Sequence, residues 1–422
     1  MNLLQWLEKI ESFHPDEIEL GLDRVSLLAK HLDLLTPTAK IITVGGTNGK
    51  GSSVATLESC ALQSNISVGC YTSPHLLRFN ERIRLNGCDV GDSLIVEAFE
   101  AIENTRLELT DFDDSPITIT FFEYTTLAAL IIFKKANLDL TVLEVGLGGR
   151  LDAVNIIEPD VAIVTTIARD HESWLGRDLE QIAFEKSGIF RTGITNYVGD
   201  NKSLNLILNA RPEFLSHLEV SCESIVSKLP PLISDILINP QQLLRQNVAL
   251  ALSAFKQLFE SEFKNLNLVN TIKNIELKGR LQVVCEKPLI ILDVAHNQQA
   301  AINLAFQLDS LPCKGKRYAI CGMMVDKSIT EFLFALDDAI DEWIFVDLPI
   351  DRAISAFELN KIALDAVTNI VSKTSQNICK SFDALKLNMN NEDQLIVLGS
   401  FITVAEILKI SSTEIFRSNP SL

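Results

Sequence analysis

The sequence predicts an α/β fold of two domains built on largely parallel sheets. The chain has 422 residues, which is more than one ordinary hydrophobic core accommodates. Short apolar runs of strand length recur along it, and helical patterns lie between several of them. With 47% hydrophobic and 22% charged residues, the composition is that of a folded chain.

The elements follow in order. In the first forty residues Trp6, Leu7, Ile10 and Phe13 recur at helical spacing. Strands are predicted at the apolar runs 41–44, 68–71, 141–145, 161–165, 289–294, 318–321, 343–346 and 395–398. Helices are predicted at 121–135, 177–189, 297–309 and 357–371. Because these strands are apolar throughout, we expect sheets covered on both faces.

The domain boundary is predicted near Leu289, where a second α/β unit begins after Lys287-Pro288. The predicted domains are 1–285 and 289–422, with a linker at about 284–288. The segment 192–245 has four prolines and no clear period, so it predicts short strands and loops that close the first domain. The chain has no internal repeat and no low-complexity tract.

Bulk composition excludes several classes of protein. A net charge of −18 argues against a nucleic-acid partner, which needs a basic surface. Eight cysteines without a C-x-x-C pair predict reduced thiols rather than a disulfide framework or a zinc site. The N-terminus turns acidic too early for a signal peptide, and the longest apolar run, 127–133, is far short of the ~20 residues of a membrane span. We therefore expect a cytoplasmic protein without a membrane partner.

The stretch 41–53 reads IITVGGTNGKGSS and carries the strongest functional signal. A strand, a glycine turn and a helix N-terminus together form a cradle for phosphate. The spacing departs from the template G-x-x-x-x-G-K-[ST], because its first glycine would fall at Val44 and Gly51 separates Lys50 from Ser52. The alternative is a glycine-rich turn with a solvated lysine.

Three more strand ends carry polar side chains. Glu144 ends one apolar strand before a glycine turn, which places it to hold Mg²⁺ or, alternatively, to be satisfied by neighbouring N–H groups. His171 follows the next strand as a metal ligand, a phosphate contact or a structural histidine. Ser73 follows a third strand, before a set of arginines suited to carboxylates or phosphates, or simply to a solvated basic patch.

These motifs, taken together, resemble the bifunctional dihydrofolate synthase/folylpolyglutamate synthase family of the Mur ligase superfamily. The resemblance rests on GTNGKGS at 46–52, SPHL at 73–76, RFNER at 78–82, EVGLGGRLD at 144–152, DH at 170–171, EKSGI at 185–189, GRLQ at 279–282, DVAHN at 293–297 and GSF at 399–401. It covers nearly the whole chain in the expected order.

The resemblance implies an N-terminal P-loop ATPase domain of the Mur ligase central type and a smaller C-terminal Rossmann-like domain, with the site between them. It implies a ligase of folate biosynthesis that adds L-glutamate to 7,8-dihydropteroate and to folates. ATP would phosphorylate the substrate carboxylate, and the glutamate amine would attack the acyl phosphate. A monomer is the family expectation.

The resemblance also assigns residues. For ATP these are Gly49, Lys50, Gly51, Ser52, Asn247, Arg280 and Asp293. For two Mg²⁺ ions they are Ser73, Glu144 and His171, with Ser52 a rival for the first ion. For the pterin they are Leu20, Gly21, Leu22, Thr120, Phe121, Phe122, Glu123 and Leu151, although the phenylalanines are alternatively core residues. For glutamate they are Arg82, His296 and Ser400, and His296 is also a candidate for the base.

Lys186 matches a family lysine that is carbamylated by CO₂. A carbamate is an anionic oxygen donor, whereas an ammonium cannot bind a cation. The alternative is a surface pair of Lys186 with Glu185 or Glu180.

Three positions depart from the family pattern without removing a proposed ligand: Arg169 and Gln298 replace an apolar residue and a proline, and Ser187 replaces an alanine. Arg169 adds a charge beside His171, where it would weaken the metal site or bind phosphate. Two other functions stay open. Another Mur-type ligase would carry a uridine-nucleotide domain before the phosphate loop, where only 44 residues precede Gly45. A non-catalytic nucleotide-binding protein is disfavoured by Lys50, Glu144, His171 and Lys186 together.

Overall fold

A computed structural model of the chain describes residues 1–13, 19–109, 117–220, 245–273, 275 and 277–414. Two compact units divide these residues. Of the described residues, those within 1–167, 178–220 and 245–275 form the first unit, and those within 168–177 and 277–414 form the second.

The α-helices lie at Leu3–Glu11 (α1), Asp23–His31 (α2), Lys50–Gln63 (α3), Asp92–Glu108 (α4), Phe121–Ala136 (α5), Glu172–Leu175 (α6), Leu179–Lys186 (α7), Asn201–Ala210 (α8), Arg245–Leu258 (α9), Glu260–Lys264 (α10), Leu268–Lys273 (α11), Gln298–Asp309 (α12), Ile329–Phe334 (α13), Ala356–Ala366 (α14), Ile378–Asn388 (α15) and Phe401–Glu414 (α16). Short 3₁₀ turns occur at Phe79–Arg82, Ala153–Ile156, Ser187–Ile189, Pro212–Phe214 and Asp337–Ala339.

The strands lie at Lys40–Gly45 (β1), Val68–Tyr71 (β2), Ile83–Leu85 (β3), Cys88–Asp89 (β4), Leu140–Glu144 (β5), Val161–Val164 (β6), Thr195–Val198 (β7), Leu218–Val220 (β8), Gln282–Glu286 (β9), Leu289–Leu292 (β10), Arg317–Cys321 (β11), Glu342–Val346 (β12), Ser372–Ser375 (β13) and Gln394–Leu398 (β14).

The described strands of the first unit form one sheet in the order β4-β3-β2-β5-β1-β6-β7-β8. The pairs from β2 through β8 are parallel, and the β2–β3 and β3–β4 pairs are antiparallel. Its middle strands β2, β5 and β6 are buried at every residue, as expected of a sheet covered on both faces. Because parallel strands end at the same edge, the residues after β2, β5, β1 and β6 gather there.

The second unit holds a sheet in the order β13-β12-β11-β14-β10-β9, parallel except for the β9–β10 hairpin. Leu304, Phe332, Trp343, Leu359 and Ile396 are among the residues of the core on one face of this sheet. The α12 helix of this unit begins at an asparagine cap, where Asn297 Oδ1 accepts the Ala300 N–H at 3.0 Å.

The predicted α/β class and all eight predicted strands are confirmed, within one or two residues at most ends. The predicted helix at 357–371 ends earlier, at Ala366, and 177–189 is α7 followed by a 3₁₀ turn. The strands β3, β4, β7, β8, β9 and β13 lie outside the predicted runs. These are short or polar strands, several of them at sheet edges, so they lack the apolar signature.

The segments on either side of the predicted domain boundary differ in part from the sequence prediction. The segment 192–245 was predicted to hold short strands and loops. The short strands β7 and β8 confirm this in part, but the helix α8 at 201–210, capped by Asp200, was not predicted. Residues 221–244 of that segment lie outside the described residues. The residues 284–288, predicted as the linker, lie in the β9–β10 hairpin of the second sheet. The boundary between 1–285 and 289–422 stays a prediction.

No helix among the described residues has both the length and the apolar character needed to cross a membrane.

Candidate active site

The phosphate loop lies between β1 and α3, on the end of β6. Gly46 has a φ of 131°, and a Cβ there would lie 1.9 Å from Thr165 Oγ1. The Thr47 N–H donates to Thr166 O at 2.8 Å and the Asn48 N–H donates to Thr166 Oγ1 at 3.1 Å. Only glycine allows this close approach together with a positive φ. The turn therefore delivers the chain to the start of a helix, as a phosphate cradle requires.

Gly51 sits on the open side of this turn. A Cβ on Gly51 would meet no heavy atom within 4 Å. Its φ is not positive, so neither packing nor backbone conformation demands glycine at this position. The inserted glycine leaves free space above the first turn of α3, where the helix presents N–H groups to an anion.

Two lysines from different helices converge on the loop. Lys50 Nζ donates to Gly46 O at 3.0 Å and to Thr47 O at 3.4 Å. Lys186 is only 5% exposed, and its Nζ donates to the same Gly46 O at 3.2 Å. Glu185 binds Arg150 instead, at 2.8 Å. The surface pair of Lys186 with Glu185 or Glu180 is therefore wrong, because Lys186 points inward to the phosphate loop.

Asn247 packs directly against the loop from α9. A Cβ on Gly49 would lie 2.3 Å from Asn247 Nδ2, and Gly49 itself has a φ of 96°. Asn247 is fully buried, and within the part of the chain that the structure describes neither of its side-chain polar atoms has a hydrogen-bond partner. An unsatisfied buried amide costs roughly 1–3 kcal/mol. A ligand that bonded this amide at the loop would remove that cost.

The predicted first-unit metal ligands lie on neighbouring strands. Glu144, 5% exposed, ends β5, and its register partner on β1 is Val44, just before the phosphate loop. Ser73 follows β2, the next strand on the other side of β5. Across the described residues there is no group of three or more His, Cys, Asp or Glu side chains that could hold a metal alone. One carboxylate and one hydroxyl beside a phosphate cradle still fit Mg²⁺, which keeps several waters and binds substrate phosphates.

Arg82 is a half-buried cation that contacts a histidine. Its Nε donates to His75 Nδ1 at 2.8 Å, and its guanidinium lies over the rings of Phe79 and Phe121, at 5.8 and 5.5 Å. Burial, together with the charge of Arg82, lowers the pKa of His75 to about 4, so that His75 is a neutral acceptor at pH 7. Burial lowers the pKa of Arg82, partly offset by Tyr71 and Glu144.

The other arginines after β2 have carboxylate partners. Arg78 pairs with Asp92 at 3.5 Å on the surface, and Arg84 makes a bidentate contact with Glu58 at 3.1 and 2.7 Å. For Arg82, no carboxylate of the described chain lies within salt-bridge distance. The set of arginines is thus not one basic patch, since only Arg82 keeps its charge available for a ligand.

The predicted pterin residues divide into two groups. Thr120 and Glu123 form a capping box at the start of α5, and Glu123 also accepts from Arg24 at 3.3 Å. Their side chains therefore have structural partners. Phe121 and Phe122 are only half-buried. The ring of Phe122 lies so close to Gly146 that a Cβ added to Gly146 would be 2.6 Å from Phe122 Cζ. These rings are not core residues of α5. Their role as ligand contacts stays a prediction.

The remaining predicted pterin residues border this helix. Leu20, Gly21 and Leu22 are incompletely buried and precede α2, which carries Arg24. Leu151 is also incompletely buried. Its neighbour Asp152, which sequence reasoning did not single out, is fully buried and accepts the Leu147 and Val154 N–H groups at 2.8 and 3.1 Å. Burial raises the pKa of Asp152 to about 6, although the hydrogen bonds from the backbone of Leu147 and Val154 act to lower it.

In the second unit Asp293 follows β10 and is turned back on its own backbone. Its two carboxylate oxygens accept the Leu281 N–H at 2.9 Å and the Ala295 N–H at 2.8 Å. Burial raises its pKa, while Arg280 acts in the opposite direction. Arg280 lies over the ring of Phe401 at 5.2 Å. Asp293 thereby shapes the turn that carries Arg280, the residue predicted to bind ATP.

His296 of the second unit has acceptors at both ring nitrogens. Nδ1 lies 2.8 Å from Val294 O, and Nε2 lies 3.3 Å from Asp170 Oδ2. Burial would raise the pKa of Asp170, but the hydrogen bond and charge of His296, with the charges of His171 and Lys327, hold that pKa well below its ordinary range. Val294 O can only accept, so Nδ1 donates to it, and Nε2 faces the Asp170 carboxylate. The role of His296 as a candidate base stays a prediction.

The last two predicted residues are also in the second unit. His171 has a φ of 52° and precedes α6, with its side chain 40% exposed. Arg169 is exposed beside it. Ser400 is buried, and its hydroxyl caps α16 by accepting the Thr403 N–H at 3.0 Å. Ser400 thus has a structural use, and a role in glutamate binding stays a prediction.

Comparison with known proteins places the chain in a family. The family described as Mur ligase, glutamate ligase domain, matches residues 279–401. The dihydrofolate synthase/folylpolyglutamate synthase of Escherichia coli strain K12 is 39% identical over 97% of this chain and 95% of its own length. The Haemophilus influenzae protein of the same name is 35% identical over 96% of both chains. The chain belongs to the dihydrofolate synthase/folylpolyglutamate synthase family.

Solved structures of this family agree in fold. The E. coli FolC structure in complex with DHPP and ADP matches with a TM-score of 0.86 at 36% identity and covers 99% of each chain. A bifunctional folylpolyglutamate synthase/dihydrofolate synthase with Mn, AMPPNP and L-glutamate bound matches with a TM-score of 0.84 at 36% identity, over 97% of this chain and 98% of that one. This member of the dihydrofolate synthase/folylpolyglutamate synthase family is therefore a two-domain α/β ligase. The family membership replaces the two alternatives, another Mur-type ligase and a non-catalytic nucleotide-binding protein.

For this family member, sequence reasoning missed three residues that the structure connects to predicted ones. His75 holds Arg82, and it stood inside a quoted motif without a role. Asp170 faces His296, and it was also quoted without a role. Lys327 pairs with Asp170 and had no signal at all, because it follows β11 in a turn with no glycine-rich or strand-end pattern.

Proposed function

We propose that this chain joins L-glutamate to 7,8-dihydropteroate, giving dihydrofolate, and to folates, giving polyglutamates, with ATP as the energy source. The chain is an enzyme of the dihydrofolate synthase/folylpolyglutamate synthase family over nearly its whole length. The observation that carries the assignment of its site is the convergence of Lys50 and Lys186 on Gly46 O. An ordinary phosphate loop needs one lysine, and a second buried lysine beside it serves a further purpose.

The chemistry begins with phosphoryl transfer. The substrate carboxylate attacks the γ-phosphorus of ATP, the bond to the β,γ-bridging oxygen breaks, and ADP leaves. Lys50 and the N–H groups at the start of α3 stabilise the charge on the transferring group. Asn247 supplies a buried amide at the loop for the nucleotide, which its lack of a partner in the described chain supports. We propose Arg280 and Asp293 of the second unit as further nucleotide contacts.

The second step forms the amide bond. The glutamate nitrogen attacks the acyl-phosphate carbon, and the tetrahedral intermediate expels inorganic phosphate while the nitrogen loses a proton. Arg82 suits a carboxylate of the incoming glutamate because it is a half-buried cation without an ion pair in the described chain. We also propose His296 and Ser400 of the second unit as glutamate contacts. His296 is also the candidate base for the proton that the nitrogen loses.

Two divalent ions belong to this proposal. Mg²⁺ would neutralise phosphate charge, with Ser73, Glu144 and His171 as the proposed ligands. Related structures contain Mn and AMPPNP, which supports a divalent ion with a nucleotide. The carbamate on Lys186 would add an anionic oxygen donor. The buried position of Lys186 at the loop, instead of on the surface, supports that role.

Transfer of an oxygen atom from the substrate carboxylate to inorganic phosphate tests this function. Dihydropteroate labelled with ¹⁸O in its carboxylate is incubated with ATP, Mg²⁺ and glutamate, and inorganic phosphate is analysed by mass spectrometry. An acyl phosphate passes one carboxylate oxygen to phosphate in each turnover, so we expect one ¹⁸O per phosphate released. Unlabelled phosphate alongside amide product would exclude the acyl phosphate.

A further inference from the structure

The turn that follows β2 is fastened to the 3₁₀ turn that precedes β3. The Thr72 N–H donates to Arg82 O at 2.9 Å, and Arg82 Nε donates to His75 Nδ1 at 2.8 Å. The Glu81 carboxylate accepts the Leu76 N–H at 2.8 Å. Hydrogen bonds therefore run in both directions between the two turns, and neither turn can shift without breaking several of them.

The bond from Arg82 determines the tautomer of His75. A guanidinium only donates and is always charged in proteins, so His75 Nδ1 accepts and has no hydrogen of its own. The hydrogen of the neutral ring is then on Nε2. His75 therefore holds Arg82 as a neutral acceptor, and the positive charge of the pair stays on the guanidinium.

The Arg82 guanidinium is held from one edge and from one side. His75 binds its Nε, and the ring centroids of Phe79 and Phe121 lie 5.8 and 5.5 Å from its Cζ. These two centroids are 6.0 Å apart, so both rings lie on the same side of the guanidinium. Within the part of the chain that the structure describes, only Nε of this guanidinium has a hydrogen-bond partner. Nη1 and Nη2 form the forked end that matches a carboxylate.

We propose that His75 is a positioning residue for the incoming glutamate: it fixes the Arg82 guanidinium so that Nη1 and Nη2 together meet one carboxylate of that substrate. The inference rests on the proposed function, which takes Arg82 as a glutamate contact. A guanidinium that is fixed before the substrate arrives loses less rotamer freedom on binding, and this difference appears as affinity. His75 acts through Arg82 and not by contact with the substrate.

Two substitutions of His75 separate positioning from a loss of packing. His75→Asn keeps an acceptor, since the asparagine oxygen can accept from Arg82 Nε, whereas His75→Leu keeps bulk without an acceptor. We expect the KM for glutamate to rise about threefold to tenfold in His75→Leu, which corresponds to the ordering of one long side chain by the ligand. In His75→Asn this KM should stay within about twofold of the wild type. The KM values for ATP and dihydropteroate should stay within about twofold in both variants.

Combination with Arg82→Met tests whether His75 acts through Arg82. If it does, His75→Leu has nothing left to position once the guanidinium is gone, so the double variant should have the same KM for glutamate as Arg82→Met alone. His31→Leu is the matched control, because His31 is exposed on α2 and its Nδ1 lies 2.9 Å from the Leu27 carbonyl of the same helix. This control should leave every KM unchanged. The melting temperature of each variant shows whether it is folded.

The wild-type ring decides the question if His75→Leu does not fold. Nitrogen-15 NMR of histidine-labelled protein, with the His75 signal identified by its absence from His75→Asn, should show a hydrogen on Nε2 and none on Nδ1 at pH 7. A hydrogen on Nδ1 would overturn the inference, because this nitrogen could then not accept from Arg82.

The kinetic outcomes separate this inference from the proposed function. The inference is overturned if His75→Leu leaves the KM for glutamate unchanged, if it raises another KM as much, or if His75→Asn has the same effect. It is equally overturned if His75→Leu raises the KM for glutamate by the same factor with and without Arg82. An unchanged KM for glutamate in Arg82→Met also overturns it and leaves glutamate ligation in place. Release of ADP by the wild type without dependence on glutamate would instead contradict the proposed function.

Discussion

Lys50 and Lys186 share one acceptor, because their Nζ atoms lie 3.0 and 3.2 Å from the carbonyl oxygen of Gly46. Two ammonium groups at one oxygen repel each other, and the buried position of Lys186 adds a desolvation cost to its charge. Addition of CO₂ to Lys186 would relieve both. The neutral amine bonds to the carbon of CO₂ and loses a proton, and the resulting carbamate attracts Lys50 and a divalent cation.

Replacement of Lys186 tests this relationship. We expect Lys186→Met to lower kcat by about tenfold to a hundredfold, the range found when groups that support a metal site are removed. Protein incubated with ¹³C-labelled bicarbonate and Mg²⁺ should show a carbamate carbon signal by NMR in the wild type and none in Lys186→Met. A wild-type protein that is fully active without this signal would contradict a carbamate at Lys186.

The buried amide of Asn247 predicts a gain of stability at the expense of function. Asn247→Leu removes two polar atoms that have no partner in the described chain, so the free energy of unfolding without ligand should stay the same or rise by about 1 kcal/mol. The Kd for ATP should rise about tenfold or more. Both quantities are accessible by urea unfolding and by calorimetric titration.

Asn80 provides the matched control for this substitution. It is also buried, but its Nδ2 donates to Val90 O and to Asp92 Oδ1, both at 2.8 Å. Asn80→Leu should destabilise the chain by about 1–3 kcal/mol and leave nucleotide affinity unchanged. Equal losses of stability in the two variants would show that Asn247 is an ordinary buried residue.

The arginines after β2 give a second matched pair. Arg82→Met removes a half-buried cation that has no ion pair in the described chain, and we expect the KM for glutamate to rise about tenfold to a hundredfold, with a loss of stability of about 1 kcal/mol from the broken hydrogen bond to His75. Arg78→Met breaks an exposed pair with Asp92 and should change neither quantity by more than about twofold. Similar kinetic effects of both substitutions would argue for a general electrostatic contribution.

His75 predicts a pH dependence of stability with a definite sign. Its pKa is about 4 in the folded chain, against an ordinary value of 6.5, because burial and Arg82 disfavour the charged ring. The unfolded chain therefore takes up a proton first as the pH falls. This contribution to stability is present above pH 6.5 and is lost between pH 6.5 and about 4, at no more than about 1 kcal/mol per pH unit.

The His75→Asn variant isolates this contribution. An asparagine oxygen can accept from Arg82 in the place of His75 Nδ1, and it does not titrate. Urea midpoints at pH 7 should therefore be similar for the two proteins, and the wild type should lose more stability than the variant on going to pH 5. A wild type that loses less than the variant over this interval would contradict a depressed pKa.

The sequence predicted the architecture well because its central strands are apolar throughout. Apolar runs such as 68–71 and 161–164 bury both faces of their strand only inside a sheet that is covered on both sides. The edge strands β4 and β13 carry polar residues, and their pairing is decided by tertiary contacts instead of local pattern. The helix at 201–210 was missed for a different reason: the prolines of the segment 192–245 were given more weight than the apolar period of this helix.

The site was predictable where function depends on the end of a strand. Glu144, Ser73 and the phosphate loop follow neighbouring parallel strands, so the topology alone brings them together. The residues Lys327 and Asp170 are 157 positions apart, and nothing in one sequence signals that such a pair will meet. The burial of Lys186 was equally out of reach, because a lysine at the end of an amphipathic helix is normally exposed.

Release of ADP tests the central claim, glutamate ligation, most directly. The purified chain is incubated with ATP and Mg²⁺, and ADP is measured with dihydropteroate alone, with glutamate alone and with both. Ligation requires both, so we predict sustained ADP release, with an equal amount of dihydrofolate, only when the two are present together. Sustained ADP release that does not depend on glutamate would contradict the assignment of this chain as a glutamate ligase.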